Sequence, residues 1–272
     1  SRQAVLFFKG ASAATFASTA VVAVCAGKEG GAAAPETSVV SLENVLGEPV
    51  TSEAPHASVC AVSSNGRCED RLAVHSIGSG DKGQHYYAVF DGHGGFECAE
   101  FAHTRLSAHI SSCLHESKAA TPEEQMEEAI ASGFQQVEDT WTRNLKNDWL
   151  RDPNYMTYGP PGSERLSSVG SCVLLAIVHE GTLFVANAGD SRAVISQKGF
   201  GGVVKAQRVT VDLNAMNTDE QERLRQEHPG ESDIVRCRGP YSCYVKGCLQ
   251  PTYSLGDAYL KYAYFNNFPG RV

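Results

Sequence analysis

Two features that would assign this chain to common functional classes are missing from its 272 residues. It has no excess of basic residues: the formal net charge is −8, which argues against a nucleic-acid-binding surface because such surfaces are basic. None of its nine cysteines forms a C-x-x-C pair. Several lie in apolar patterns, so the sequence predicts reduced and buried thiols, with neither a disulfide framework nor a structural zinc site.

Acidic residues are absent from residues 1–28, which carry three basic residues. Within them residues 10–27 are uncharged, close to the lower limit of about 17–25 residues for a membrane span, although their Ala, Ser and Thr content makes a weak span. A basic, acid-free segment is also typical of mitochondrial targeting. The alternatives are therefore a targeting region, a single membrane-spanning or anchor segment with membrane contact through residues 10–27, or an ordinary leader. Residues 29–57 predict a flexible linker.

The most informative stretch is Tyr87–Gly95, which reads YAVFDGHGG. An apolar run of strand character ends at Phe90, and the next residues predict a tight turn. A carboxylate such as Asp91 at the end of a buried strand suits a hard divalent cation, and Gly92 lets a backbone carbonyl come close to it. His93 adds a side chain that carries a proton near neutral pH. An ordinary turn is the alternative, since Asp-Gly is common in turns.

Further blocks flank this stretch. Upstream, residues 64–74 form a polar turn with adjacent acids that leads into a short strand. Downstream, residues 168–178 and 182–194 are apolar runs joined by a tight turn, which predicts a buried hairpin. In this order the blocks resemble the metal-dependent protein phosphatases of type 2C, most closely the pyruvate dehydrogenase phosphatase branch, which is mitochondrial. The resemblance extends over roughly residues 58–268.

The resemblance implies a metal-dependent chemistry. Two Mg²⁺ or Mn²⁺ ions would lie about 3.5–4 Å apart and activate a water molecule that attacks phosphorus in line. The implied metal ligands are Asp70, Asp91, the Gly92 carbonyl and, for a weaker third ion, Asp190. Glu69 would position the water, and His93 would protonate the leaving serine or threonine oxygen as general acid. For Asp190, a structural role in its own turn is equally compatible with the sequence.

The chain also departs from the family pattern. The family completes its site with two more aspartates, in an Asp-Gly segment and an Asp-Asn pair. Here the one Asp-Gly is at Asp91, and Asp-Asn does not occur. The loss of two carboxylate ligands should weaken the binding of at least one metal ion. Tyr253 and Asn65 replace arginines of the family, and Leu213 replaces a histidine. Arg67, two residues from Asn65, is the candidate ligand for the substrate phosphate.

The implied fold is α/β (α+β): a sandwich of two antiparallel sheets flanked by helix pairs, spanning residues 58–272 and incomplete at the C-terminus. The residue pattern by itself also predicts two helices. One extends from Phe96 to Leu114, and the other follows a capping box at Thr121 and carries one apolar stripe to Leu145. Residues 148–166 predict a loop, and residues 218–228 a short charged helix.

Three functions follow from these observations. The first is a mitochondrial protein serine/threonine phosphatase acting on a phosphoprotein substrate. The second is a catalytically inactive pseudophosphatase that serves as a structural subunit of a multi-subunit complex in the mitochondrial inner membrane. The third is a binding module that holds phosphorylated partners without hydrolysing them.

Overall fold

The computed structural model describes residues 6–9, 68–77, 84–151, 166–180, 182–198 and 204–266. Within these ranges the strands are β1 (Leu6–Lys9), β2 (Arg71–Ile77), β3 (Gln84–His93), β4 (Gly170–His179), β5 (Thr182–Ala188), β6 (Val194–Lys198), β7 (Val204–Arg208), β8 (Val235–Cys237), β9 (Cys243–Val245) and β10 (Leu255–Gly256). The helices are α1 (Glu97–Glu116), α2 (Pro122–Arg151), α3 (Thr218–Glu227), α4 (Ala258–Lys261) and α5 (Ala263–Asn266).

A six-stranded antiparallel sheet forms the centre of the described structure. Its order is β1-β5-β4-β3-β2, and β10 pairs with the beginning of β4. The predicted hairpin is present as β4 and β5. The pairs β6–β7 and β8–β9 form two small separate sheets. The predicted mixed α/β fold with antiparallel sheets is therefore confirmed.

One face of the large sheet packs against α1 and α2. Alternate residues of a strand point to the same face, so alternate residues of β3 and β4 contribute to this core. Tyr86, Phe90, Leu175 and Ile177 contribute to this core from the sheet. The predicted stripe of α2 is completely buried and consists of Met126, Ile130, Phe134, Val137, Trp141 and Leu145. On the opposite face a smaller apolar cluster includes Leu174. Burial on both sides explains why β4 reads as a continuous apolar run.

The capping box predicted for α2 is present. The Thr121 hydroxyl accepts a hydrogen bond from the Glu124 N–H at 3.2 Å, and the Glu124 carboxylate accepts one from the Thr121 N–H at 3.2 Å. Two N–H groups that the helix leaves unpaired are thereby satisfied.

Replacing the capping hydroxyl should destabilise the helix start. We expect Thr121→Ala to lower the free energy of unfolding by about 1 kcal/mol, measured by urea denaturation. Thr104→Ala is the matched control, because that hydroxyl bonds to carbonyls of its own helix and to the neighbouring Arg105 side chain and caps no helix end. Equal losses in the two variants would contradict a specific capping contribution.

Two predicted boundaries are wrong. Asp91, Gly92 and His93 do not lie in a turn: β3 continues through them and pairs with β4 as far as His93 opposite Gly170. The chain turns at Gly94, whose φ is 71°. Likewise, residues 148–151 belong to α2 and not to the predicted loop, because nothing breaks the helix before Pro153 and its preceding residue.

The prediction of reduced cysteines is wrong at one place. Cys237 and Cys243 form a disulfide that joins β8 to β9. The two residues are direct partners in the antiparallel pairing, which brings their side chains together although their spacing matches no common motif. The described free cysteines include Cys98, Cys113 and Cys172, which are buried as predicted.

No helix within the described ranges combines the length and apolar character needed to cross a bilayer. Of residues 1–28, the structure describes Leu6–Lys9, which pair with β5 as an edge strand of the large sheet. Residues 10–27 and the linker at 29–57 lie outside the described residues, and so does Asn65 with the candidate phosphate ligand Arg67.

Candidate functional site

The predicted site residues come together at one end of the large sheet, because β2, β3 and β4 are neighbours. Asp70 immediately precedes β2, and Asp91 and His93 are at the end of β3. Asp91 lies opposite Cys172 of β4 in the pairing. Asp190 follows the end of β5. The sheet thus brings to one region four side chains that are up to 120 residues apart in sequence (190 − 70).

Asp70 and Asp91 form a pair of hydrogen-bonded carboxyl groups. Burial raises the pKa of Asp91 to about 6, and the charges of Asp70 and Asp190 contribute to this increase. Burial also raises the pKa of Asp70, although the hydrogen bonds from Asp91 and from the Gly92 backbone, with the Arg71 charge, oppose it. Two ionised carboxylates in contact repel each other, so the pair loses its last proton at a higher pH than a free carboxyl group would, unless a cation neutralises the charge.

Gly92 is required for the close approach of two backbone segments. A Cβ atom at this position would lie 2.3 Å from the carbonyl oxygen of Glu69 and 3.2 Å from the Cβ of Ala99. The chain before β2 therefore passes directly over β3, and this is what places Asp70 beside Asp91. Glu69 is half-buried at the same place.

Two side chains hold Asp190, and within the described residues no backbone N–H of its turn is seen to donate to the carboxylate. Its Oδ1 accepts a hydrogen bond from the Cys172 thiol at 3.5 Å, and its Oδ2 accepts one from the Asn214 amide at 3.2 Å. Burial raises the pKa of Cys172 well above its ordinary value, and Asp190 and Asp91 raise it further. Cys172 is therefore a neutral donor.

His93 contacts a residue to which the sequence analysis assigned no role. Its Nε2 lies 2.8 Å from Oδ2 of Asp257, whose side chain is 2 % exposed. Burial tends to lower the pKa of His93, but the charge and hydrogen bond of Asp257, together with the charges of Asp91 and Asp190, outweigh it and raise this pKa. The sequence signal that points to it is the stretch GCLQPTYSLGD at residues 247–257, which belongs to the family resemblance and ends at this aspartate.

A buried ion pair supports the segment that carries Asp257. Glu138 of α2 accepts hydrogen bonds from the Gly256 N–H and from Lys261 Nζ, both at 2.8 Å. Lys261 also donates to the carbonyl of Ser254. Residues 254–261 are thereby attached to the long helix.

Two residues that depart from the family pattern have structural roles. The Arg223 guanidinium lies 4.3 Å from the ring centroid of Tyr253 in a cation–π contact. Leu213 is 2 % exposed, and its N–H donates to the Gly189 carbonyl at 3.0 Å. Tyr253 therefore packs against Arg223 of α3, and Leu213 fixes the chain beside Asp190.

The donor set fits a divalent cation in part. Clustered carboxylates whose pKa values are raised by burial and mutual repulsion favour binding of a hard cation, and Asp70 and Asp91 meet this condition. Among the residues that the structure describes, however, no group of three or more His, Cys, Asp or Glu side chains is arranged to hold one metal ion. The shared metal site of Asp70, Asp91, Gly92 and Asp190 stays a prediction.

Comparisons with known proteins show which family the chain resembles. The family described as "Protein phosphatase 2C" matches residues 58–270. The rice "Probable protein phosphatase 2C 36" is 35% identical over 211 residues, which are 77% of this chain and 50% of that protein. The Arabidopsis thaliana "Probable protein phosphatase 2C 42" is 32% identical over 213 residues, 78% of this chain and 50% of that protein.

A solved structure of a sex-determining protein of C. elegans shares the fold. It superposes with a TM-score of 0.51 at 20% sequence identity and covers 71% of this chain and 41% of that one. The chain spans about half the length of the curated relatives it matches.

Proposed function

Because the chain belongs to the protein phosphatase 2C family, whose members are serine/threonine phosphatases, we propose that it takes part in hydrolysis of phosphoserine or phosphothreonine in a protein substrate. The observation that supports this most directly is the Asp70–Asp91 carboxyl pair beside His93. These residues place repelling carboxylates and a proton-carrying ring at one end of the sheet, a combination that metal-assisted hydrolysis of a phosphate ester can use.

In this proposal Asp70, Asp91 and the Gly92 carbonyl hold Mg²⁺ or Mn²⁺, and Asp190 contributes to a weaker position. A bound divalent ion would supply charge stabilisation and an activated water molecule. The sheet contributes positioning, since the ligands come from paired strand ends. Asp190 is kept in place by Cys172 and Asn214, and Glu69 orients the attacking water.

His93 is the proton donor to the leaving oxygen in this scheme. A serine alkoxide is a poor leaving group, so a positioned acid typically contributes 10²–10⁴-fold to the rate. The raised pKa of His93 keeps more of the ring protonated near neutral pH, which suits this role.

The test is hydrolysis of a phosphoserine peptide by the chain with Mn²⁺ and, separately, with a chelator. We expect Mn²⁺-dependent release of phosphate that falls at least 100-fold in Asp91→Asn, because the charge that offsets a cation is lost. Asp139→Asn is the matched control, since Asp139 is an exposed acid on α2 that accepts a bond from Gln135. Turnover that is equal in both variants would refute the proposal.

A non-catalytic role is the second candidate, and one observation favours it. Within the described ranges three acidic or imidazole ligands do not converge on one metal position. In that case the chain would be a pseudophosphatase that contributes a folded surface to a larger complex. This second candidate predicts a folded chain that releases no phosphate and binds no Mn²⁺ in the same experiment.

We also propose the pyruvate dehydrogenase phosphatase branch and a mitochondrial location, either the matrix or the inner membrane. Both rest on sequence: the motif order from residue 64 onward, and the basic, acid-free character of residues 1–28. Fusion of residues 1–57 to a fluorescent protein tests the location. Diffuse fluorescence outside mitochondria would refute a targeting role of residues 1–57.

A further inference from the structure

Asp257 is built into the structure in a way that its place in the sequence does not indicate. It lies 164 positions from His93, yet its Oδ2 faces the ring at 2.8 Å. The same oxygen accepts a hydrogen bond from the Ser254 hydroxyl. Within the described residues its other oxygen, Oδ1, has no hydrogen-bond partner. The His93 ring is therefore one of two groups that satisfy this buried carboxylate.

The backbone at Asp257 is strained in order to present the side chain. Its φ and ψ are 49° and 39°, in the left-handed region, which residues with a Cβ adopt uncommonly. Its N–H donates to the Val169 carbonyl, and the neighbouring Gly256 N–H is fixed by Glu138. Strain that is held by several surrounding bonds is a feature of functional positions.

The neighbouring strand leaves room for this contact. A Cβ atom on Gly170 would lie 2.2 Å from Asp257 Oδ2 and 2.4 Å from His93 Nε2. Gly170 is the partner of His93 in the β3–β4 pairing. The sheet therefore has a glycine at the one register position where a side chain would separate the ring from the carboxylate.

We propose that Asp257 is a positioning residue for His93 and that it binds the Nε2–H, so that Nδ1 is the nitrogen that faces the reacting phosphate ester. A carboxylate oxygen accepts hydrogen bonds, and Oδ2 of Asp257 accepts one from the Ser254 hydroxyl. Nε2 of His93, 2.8 Å from the same oxygen, is therefore the donor of the second bond. A histidine whose one nitrogen is fixed by a carboxylate has its tautomer and orientation fixed as well. This inference rests on the proposed phosphatase function.

Hydrolysis with His93 as the acid forms one bond and breaks one bond at phosphorus. Water supplies the oxygen that forms the new bond to phosphorus, and the bond from phosphorus to the serine oxygen breaks, with its electron pair going to that oxygen. The serine oxygen takes the proton from Nδ1 of the imidazolium. The proton released by the water restores His93, and Nε2–H remains bound to Asp257 throughout.

The first experiment needs no turnover. In the ¹⁵N-labelled chain, long-range ¹H–¹⁵N correlation spectra report which nitrogen of each neutral imidazole carries the proton, and His93→Gln identifies the signals of His93. We expect the proton on Nε2, and we expect Asp257→Asn to produce a mixture of tautomers. Asparagine tolerates the left-handed backbone, so this variant retains the local shape. A neutral His93 with its proton on Nδ1 would overturn the inference.

The second experiment distinguishes positioning from a general structural role. Against a phosphoserine peptide, we expect Asp257→Asn to lower kcat about 10- to 100-fold with KM nearly unchanged, a part of the 10²–10⁴-fold contribution of a general acid. Against p-nitrophenyl phosphate, whose leaving group needs no proton, the loss should be less than about threefold. His93→Gln combined with Asp257→Asn should be no slower than His93→Gln alone, because the two act as a unit.

Equal losses on both esters, or additive losses in the double variant, would overturn the positioning role. If the unaltered chain hydrolyses neither ester, the proposed function fails, and the tautomer measurement then decides the His93–Asp257 arrangement by itself.

Discussion

The metal-free chain is expected to become more stable when Asp91 is replaced by Asn. The pKa of Asp91 is raised from 3.8 to about 6, and a pKa difference of one corresponds to about 1.4 kcal/mol. Ionised Asp91 therefore lowers the free energy of unfolding by up to about 3 kcal/mol at neutral pH. Asparagine keeps a hydrogen bond to Asp70 without the charge, so we expect a gain of about 1–3 kcal/mol.

The pH dependence has a definite sign. A carboxyl group with a raised folded-state pKa binds more protons in the folded chain than in the unfolded one, so stability falls as pH rises through the range from about 4 to 6. Urea denaturation with a chelator present should show this fall in the natural chain and a weaker one in Asp91→Asn. Asp139→Asn, at the exposed acid of α2, should retain the full dependence.

Addition of Mn²⁺ should reverse the order of the two proteins. A ligand that binds the folded state alone stabilises it, so the natural chain should gain stability while Asp91→Asn gains little. A variant that is less stable than the natural chain at every pH, or that gains equally from Mn²⁺, would rule out the repelling carboxylates as a cation site. Lost turnover in a more stable variant could not be attributed to misfolding.

Loss of the ammonium group that pairs with Glu138 should have an effect of similar size and opposite sign. The Glu138 side chain is 2 % exposed. In Lys261→Met this carboxylate would keep the hydrogen bond from the Gly256 N–H but lose its cationic partner. An uncompensated buried charge costs about 3–5 kcal/mol. We expect a loss of about 3 kcal/mol by urea denaturation, because Lys261 is 22 % exposed and water reaches the site.

A double variant isolates the charge from the packing. Glu138→Gln retains an acceptor for the Gly256 N–H, so the combination with Lys261→Met should recover at least half of the loss. Lys205→Met, at an exposed position of β7, is the control and should change stability by less than about 0.5 kcal/mol. A double variant as unstable as Lys261→Met alone would show that the lysine contributes by its contacts with the chain and not by neutralising Glu138.

Patterns with a short period were predictable from the sequence. The stripe of α2 and its capping box depend on residues three and four positions apart, and the same spacing decides the packing and the hydrogen bonds. The boundary of β3 was not predictable in this way. Asp91 and Gly92 have turn preferences, but pairing with β4 overrides them, and this pairing depends on residues 80 positions later.

The pairing of strands accounts for the remaining differences. The Cys237–Cys243 disulfide follows from the register of β8 and β9, which the sequence pattern does not specify. The contact between His93 and Asp257 requires β10 to pair with β4, and neither residue carries a local sign of the other. The family resemblance predicted the carboxylates of the site, such as Asp70 and Asp91, but it did not indicate Asp257, the residue proposed to orient His93.

The span of 164 residues between His93 and Asp257 has a consequence for the order of folding. The α1–α2 hairpin and the β4–β5 hairpin close over short distances along the chain, whereas the entropy cost of closing a loop grows with its length. Structures dominated by distant contacts also form more slowly. We therefore expect the helices and central strands to be in place first, with the ring of His93 still free to rotate. During synthesis, this ring has no carboxylate to face until residue 257 has left the ribosome.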